Sequence, residues 1–350
     1  MSPSLTIHDI AREAGVSAST VSRVLSGHPN VSAKTREQVM RVVRKYDFQP
    51  NSLARGLQQQ RSQTLGIIMP DVDHPHYAEL FTAAYDQARE LGYTLTLYSL
   101  HPGEGITDEF VSQLIERRLD GVILTGGCVE SQSFQDLPAL LGKLKRYMPL
   151  VAVCSPIPGV SCVHIYDDMA LGMRLCVRHL SSLGHRRIAL LGEAEENASF
   201  RTMQARLCGY LGEMQALSLA PLTLHTDRHR PANGEMGVLR LFDSLPEGER
   251  PTALITVNDM VALGAIRQLH RMGLCVPDDV AVVGCDNEFF TAYTLPSITT
   301  LDLHVAEHGR LAVRELAAQI ASPGGAYHRV YEPALIIRES CGCQLGRRDL

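Results

Sequence analysis

No stretch of this 350-residue sequence reaches the roughly 18 consecutive apolar residues of a membrane span, so no membrane partner is expected. Met1 to Asp9 lacks the basic-then-apolar pattern of a secretory leader. The nine cysteines are an odd number, run from Cys128 to Cys343 and share no repeated spacing. A disulfide framework is therefore not expected, and a reducing, cytoplasmic setting is. Cys341-Gly-Cys343 has no His/Cys pair at finger spacing to complete a metal site. Catalytic signatures are missing as well: there is no Gly-x-Ser-x-Gly, no phosphate loop ending in Gly-Lys-Ser/Thr, no Gly-x-Gly-x-x-Gly and no His-Glu-x-x-His. The expectation is a protein that is not an enzyme and that uses neither a cofactor nor a metal.

What is present is ordinary in amount and uneven in placement. With 45% hydrophobic and 20% charged residues the chain can bury a large core, and its length suggests two or three domains. The net charge of −5 conceals an asymmetry. Residues 1–61 hold nine Lys/Arg and four Asp/Glu, net +5; the other 24 basic and 34 acidic side chains leave residues 62–350 at −10. A short basic module on a large acidic body suggests a polyanion-binding head on a regulatory or catalytic body.

Three short helices can be read in that head. Thr6 is an N-cap candidate, with Ile7, Ile10, Ala11 and Ala14 on one face. Gly15 ends the helix and sets a turn. Ser17 caps a second helix, Ala18 to Leu25, with Val21, Val24 and Leu25 inward and Ala18, Ser19, Ser22 and Arg23 outward. Ser32 caps a third, from about Ala33 to Tyr46, carrying Val39, Val42 and Val43. Helix, glycine turn, helix is the pattern that lays a second helix in the DNA major groove. Arg23 can hold a guanine there through two hydrogen bonds, or it is simply a solvated helix charge. Thr20 and Ser22 suit phosphate oxygens or helix packing. Three helices of this size make too small a core to be robust alone. After Pro50, Leu53, Ala54 and Leu57 recur at helical spacing across a marginal segment that contains Gly56.

The run from Thr6 through Val16-Ser-Ala-Ser-Thr-Val-Ser-Arg-Val-Leu-Ser-Gly27 resembles the headpiece of the lac repressor (LacI/GalR) family almost residue for residue. Val31-Ser-Ala-Lys-Thr-Arg36 and Tyr46-x-Phe-x-Pro-Asn51 continue the match. The resemblance implies that Ala18, Ser19 and Arg23 read bases, within a DNA-binding set of Thr6, Ser17, Ala18, Ser19, Thr20, Ser22, Arg23, Asn30 and Leu57. It also implies that residues 50–61 form a hinge helix which orders on double-stranded operator DNA, pairs with its dimer mate and inserts Leu57 into the minor groove.

Beyond residue 61, apolar runs alternate with helical stretches. Leu65-Gly-Ile-Ile-Met precedes a helix near Tyr77–Leu91, and the series continues to Val280-Ala-Val-Val-Gly-Cys285. Continuous apolar strands between helices mean parallel sheets covered on both faces, and this many strands suits two open sheets better than one. Two such lobes create a cleft beyond their strand ends, where Asp71, Asp73, Asp167, Asn258-Asp259 and Cys285-Asp286 recur. The fourteen histidines show no metal spacing, and His225, His229 and His270 read most simply as surface residues.

This body resembles the regulatory domain of the same family and the related periplasmic sugar-binding proteins. The match rests on Leu180-x-x-Leu-Gly-His-Arg-Arg-Ile-Ala, Asn258-Asp-Met-Val-Ala-Leu-Gly-Ala, Val276-Pro-x-Asp-Val-x-Val-Val-Gly and Thr299-Thr-Leu-Asp. The implied fold is an all-α helix-turn-helix headpiece (1–49), a hinge helix (50–61) and an α/β body of two doubly wound parallel-sheet lobes, periplasmic-binding-protein-like (62–350). By position the resemblance implies that Arg206, Asn258 and Asp286 grip a small effector. His76 and Tyr77 sit in the first lobe's ligand loop, and Asp167 at the second lobe's first strand. Two departures bear on the effector class: the chain has no tryptophan to stack on a sugar ring, with His229 in that region, and it has Cys154 where relatives often carry Asp or Asn. The function expected is that of a sequence-specific transcriptional regulator, most simply a repressor. It would bind a palindromic operator as a homodimer under control of a sugar or sugar derivative. The alternatives are a stand-alone solute-binding protein, which leaves the basic head unexplained, and an α/β enzyme, which lacks a motif.

Overall fold

The computed structural model describes residues 5–25, 28, 30–48, 61–70, 72–100, 104–129, 136–192, 201–226 and 229–343. Leu57, Asp71 and all but the last residue of the expected hinge segment lie outside these residues. The chain forms two compact units, Met1–Gln63 and Thr64–Leu350.

In the first unit, α1 (Ile7–Glu13), α2 (Ala18–Leu25) and α3 (Ala33–Lys45) enclose a small core of Ile10, Ala11, Ala14, Val21, Val24, Val39 and Val42. Thr6 starts α1 with a capping box: its hydroxyl accepts from the Asp9 amide while the Asp9 carboxylate accepts from the Thr6 amide. Gly15, at φ +63, makes the turn between α1 and α2, a backbone conformation that L side chains rarely adopt. The Gln38 amide crosses from α3 to donate to the Ala14 carbonyl at 2.8 Å, which ties the third helix to that turn.

The second unit holds two six-stranded sheets. Its strands are β1 (Thr64–Met69), β2 (Thr94–Ser99), β3 (Gly121–Thr125), β4 (Leu150–Val153), β5 (Val163–Asp167), β6 (Ile188–Gly192), β7 (Leu222–His225), β8 (Ala253–Thr256), β9 (Ala281–Asp286), β10 (Thr299–Asp302), β11 (His328–Tyr331) and β12 (Ala334–Ile336). The first sheet runs β11-β5-β4-β3-β1-β2 and is parallel throughout. The second runs β12-β10-β9-β8-β6-β7, parallel except for the β10–β12 edge pair. Central strands such as β3 and β6 are buried at every residue, as strands covered on both faces must be.

The α-helices described in this unit are α4 (Pro75–Glu90), α5 (Asp108–Glu116), α6 (Gly126–Val129), α7 (Leu137–Lys145), α8 (Met169–Ser182), α9 (Arg201–Ala216), α10 (Pro231–Asp243), α11 (Asp259–Arg271) and α12 (Val305–Ala321). Here the structure extends the sequence reading, whose series of elements stops at Cys285. The chain beyond it adds β10, α12, β11 and β12. It passes between the lobes three times, at β5 to α8, β10 to α12 and β11 to β12. Gly209 lets α9 lie directly on α8, because a methyl there would collide with the Ala170 carbonyl. That close approach fixes the helix one turn of which carries Arg206.

Candidate functional site

Two surfaces collect the residues singled out above. On the headpiece, Ser19 and Arg23 of α2 are exposed, as is Asn30 in the following loop. Thr20 and Ser22 are half-buried. Ala18 differs from the outward placement expected of it, since it packs partly against the headpiece core as the first residue after the turn. The Ser17 hydroxyl caps α2 by accepting from the Thr20 amide at 3.2 Å, and it meets Ser19 Oγ at 2.8 Å and Thr20 Oγ1 at 2.9 Å. The Thr6 hydroxyl donates to the Asp9 carboxylate at 2.7 Å, and these bonds hold that carboxyl below its ordinary pKa. Hydroxyls spent on caps orient the helix, while Ser19 and Arg23 remain presented to solvent.

In the body, the carboxyl ends of both sheets bring polar side chains together. Register sets Asp302 of β10 opposite Asp286 of β9, and Tyr331 of β11 opposite Asp167 of β5. Asp167 therefore ends a strand of the first sheet, not the second lobe's first strand as expected, because the chain leaves the first lobe only after β5. Around them stand His74 and His76 at the start of α4, Arg206 of α9, Asn258 capping α11, and His304 and His308 at the start of α12. Asp286 and Asn287 have φ of +110 and +55, outside the usual L-residue regions. They are held there by the Asn287 amide donating to Thr300 Oγ1 at 3.2 Å and by Arg338 Nη2 donating to Asn287 Oδ1 at 2.8 Å.

The lobes meet through these side chains. His76 contributes its backbone N–H to Glu288 Oε1 at 3.2 Å, and its ring lies 3.9 Å from Asp286 Oδ1. His74 Nε2 lies 3.1 Å from Asn258 Nδ2, and His74 Nδ1 lies 3.5 Å from Glu288 Oε1. Asn258 Oδ1 is already taken by the Val261 amide at 2.9 Å, so its amide nitrogen is the donor. That nitrogen serves both the His229 carbonyl, at 3.1 Å, and His74 Nε2. The proton of His74 therefore sits on Nδ1, directed at Glu288. At the rim, Arg230 makes a two-point ion pair with Asp73 at 2.9 and 3.1 Å.

Burial controls the ionisation of this cluster. Desolvation pushes Asp286 up to about 7, against the pull of the Arg206 guanidinium. Desolvation, with Asp286 as a like-charged neighbour, pushes Glu288 up to about 8. Asp167 also rises to about 8, from desolvation first and then from Asp302 and Asp286. The histidines move the other way by the same desolvation: His76 falls to about 3, His229 to about 4 and His308 to about 4. The short His76–Asp286 and His308–Asp167 approaches are consequently contacts between neutral partners near pH 6.5, not ion pairs. Asp259, fully buried, accepts from Thr300 Oγ1 at 2.6 Å and from the Glu288 amide at 2.8 Å, which orients Glu288 into the cleft.

All seven expected cleft residues (His76, Tyr77, Asp167, Arg206, His229, Asn258 and Asp286) stand around this space, linked by the contacts and fields just described. His229 is half-buried with a strongly lowered pKa, which corrects its reading as a surface residue. His74, Glu288, His304 and His308 went unnoticed in the sequence. Their signal was weak: Glu288 and His304 simply follow strand ends, and β10 itself was not in the series. His74, Asp286 and Glu288 bring ligand-type atoms within 4.8 Å of one another. His74 cannot readily serve a metal, since Asn258 occupies one ring nitrogen and a proton the other. Among the described residues no helix is long and apolar enough to cross a membrane.

Comparison with known proteins adds a second line of observation. Residues 6–51 match the description "Bacterial regulatory proteins, lacI family", and residues 177–341 match "Periplasmic binding protein-like domain". The chain is 30% identical over 336 residues to the ribose operon repressor of Haemophilus influenzae, with 96% of this chain and 98% of that protein covered. It is 31% identical over 346 residues to the NTD biosynthesis operon regulator NtdR of Bacillus subtilis, covering 96% and 99%. Among solved structures, the lac repressor dimer bound to operator and the anti-inducer ONPF superposes with a TM-score of 0.85 at 26% identity, covering 97% and 99% of the two chains. The transcriptional regulator CelR in its cellobiose complex does so at 0.67 and 27%, covering 96% and 99%.

Proposed function

The chain belongs to the lacI family of bacterial regulatory proteins, and on that footing we propose that it is a sequence-specific, DNA-binding transcriptional repressor controlled by a small effector held between the lobes of its body. The observation that carries this reading is the pairing, in one chain, of an exposed Ser19/Arg23 helix face with a cleft of buried, ligand-type polar groups. Arg23 supplies the bidentate base contact, Ser19 a single hydrogen bond, and Ala18 apolar contact. Thr6, Ser17, Thr20, Ser22 and Asn30 lie along the phosphate backbone, and Leu57 wedges into the minor groove. The headpiece occupies 1–49, the hinge 50–61 and the effector body 62–350. One headpiece offers few base contacts, so binding is as a homodimer to a near-palindrome of roughly 14–20 base pairs.

In the cleft, Arg206 presents a rigid multi-donor fork, Asp286 accepts ligand donors, and Asn258 sits where its amide meets both lobes. His76, Tyr77, Asp167 and His229 complete the lining. The ribose operon repressor and the cellobiose-bound regulator support a sugar or sugar derivative as effector. The protein works in the cytoplasm, without enzymatic activity. Effector and operator are thermodynamically linked, so whatever factor one applies to the other's affinity is returned.

The test is a gel shift with DNA upstream of the protein's own gene, followed by footprinting. A two-fold symmetric footprint that resists non-specific competitor is expected. Retardation that vanishes under competitor, or protection of one asymmetric half-site, overturns the reading.

A further inference from the structure

We propose that the effector carries a primary amine, as an amino sugar does, and that its ammonium group is bound between the carboxylates of Asp286 and Glu288. The inference rests on the reading of the cleft as the effector site and names the chemical class that fits it.

The two carboxyl groups are 7% and 2% exposed, and they have oxygens within 4.8 Å of each other. Like-charged groups this close and this dry hold a proton or a cation between them. Glu288 Oε1 accepts from the His76 amide, but Oε2, fully buried, has no hydrogen-bond partner among the described residues. A buried acceptor of that kind is costly until a donor reaches it. Among the described residues, the groups facing the pair do not supply a charge dedicated to it. From α4 come His74, His76 and Glu79, from α11 comes Asp259, and Arg206 of α9 is shared with Asp167. Burial keeps the His76 ring neutral, His74 Nε2 accepts from the Asn258 amide, and the further acids deepen the deficit.

The donor set distinguishes an ammonium from a metal ion. An ammonium brings its own protons, and two acceptors about 2.8 Å from a tetrahedral nitrogen stand about 4.6 Å apart, inside the 4.8 Å limit within which these groups lie. A zinc ion would need a lone pair from His74, whose Nε2 already accepts from the Asn258 amide. A hydroxyl donates one proton and carries no charge, so it can bridge to one carboxylate and leaves the other uncompensated. In the free protein burial raises both carboxyls, Asp286 to about 7 and Glu288 to about 8, so the pair holds protons near pH 7. Binding then proceeds as carboxylic acid plus ammonium giving carboxylate–ammonium pair plus a released proton, which balances charge and mass. Binding should tighten as pH rises from 6 to 7.5, by at most about tenfold per pH unit for each proton released.

The experiment is isothermal titration of the full-length protein at pH 7 with matched sets: glucosamine, glucose and N-acetylglucosamine, and the corresponding galactose and mannose sets. At least one amine should bind more than about tenfold tighter than its hydroxyl and N-acetyl counterparts, in line with the weight of a buried charge pair. The heat should differ between phosphate and Tris, reporting proton release. Glu288→Gln and Asp286→Asn, checked for folding by thermal melts, should each erase the preference, and Glu288→Asp should retain part of it. A neutral sugar that binds as well as its amine, an amine preference that survives Glu288→Gln, or binding by no amine overturns the proposal. So does zinc chloride stabilising the wild type but not Glu288→Gln. Neutral-sugar binding together with a normal footprint would sink the ammonium site and leave the regulator intact. Loss of specific operator retardation would sink the regulator while the amine measurement stood.

Discussion

The α2 face and the interlobe cleft both present polar groups to a ligand, but they stand at opposite ends of the cost of doing so. Ser19 and Arg23 remain in water, and the Ser17 and Thr20 hydroxyls satisfy one another locally. Little is lost by leaving such groups ready, and what they gain from DNA is screened by salt. Asp167, Asp286 and Glu288 are instead withdrawn from water and held near neutrality by their surroundings. The head has a small core and leaves its DNA-facing groups in water. The body spends stability in advance on a site that a ligand can relieve. On the proposed reading, specificity for DNA resides in a few side chains on one short helix, whereas specificity for the effector resides in groups contributed by several elements.

The largest effect that would sharpen this contrast is on pH. Each of the three carboxyls has a folded-state pKa above its unfolded value, so the folded state binds more protons and stability falls as pH rises toward 7–8. His76, His229 and His308 have lowered values, so the unfolded state binds more protons below about 6.5 and their contribution runs the other way, increasing with pH. The two trends offset one another at acid pH. Above about 6.5 only the carboxyls still titrate, each worth about 1.4 kcal/mol per pH unit over its window. The melting temperature of the unliganded body should therefore drop between pH 6.5 and 8; a flat or rising profile breaks the comparison.

Next in size is Arg206→Ala. It leaves Asp286 and Asp167 without their shared cation, and effector affinity should fall by about 2–5 kcal/mol as measured by titration. Unchanged affinity would remove Arg206 from the site. Asp259→Ala strands the Thr300 hydroxyl and the Glu288 amide, and should lower body stability by about 2–4 kcal/mol in urea unfolding. On the headpiece, Arg23→Ala should weaken specific operator binding by about 1–3 kcal/mol and leave body melting alone. Equal loss on operator and random DNA would show that Arg23 reads phosphate. The smallest effect belongs to Thr6→Ala, about 1 kcal/mol of headpiece stability from the lost cap, visible as faster proteolysis of the head.

The head was legible because its determinants are local. Thr6 with Asp9, Gly15 at the turn, Ser17 and Ser32 each act within a few residues of where they stand. Ala18 and Ser22 were read as outward and stand half-buried, since how far a helix face reaches water depends on the packing of the neighbouring turn and helices. In the body, apolar runs gave the strands through Cys285. The strand Thr299–Asp302 escaped because it is short and two of its four residues are threonine, buried by hydrogen bonds to Ser340, Arg338 and Asp259. Cleft positions set by one residue at a strand end, such as Asp167 and Asp286, could be anticipated from the sequence. Those resting on partners could not: Glu288 acts with His76, 212 residues away, and His74 with Asn258, 184 residues away. His229 looked like surface because nothing beside it in sequence announces the lobe that covers it.

The φ of +110 at Asp286 has a consequence for how this protein can change. An L side chain held there costs on the order of 1–3 kcal/mol, and glycine would not incur it. The one substitution that relaxes the backbone also deletes the carboxylate from the cleft. In a screen for heat-tolerant variants, Asp286→Gly should surface early, robust as a fold and deaf to the molecule it was meant to hear. Hardiness and responsiveness are thus opposed at a single codon, and keeping aspartate there requires that the signal itself be under selection.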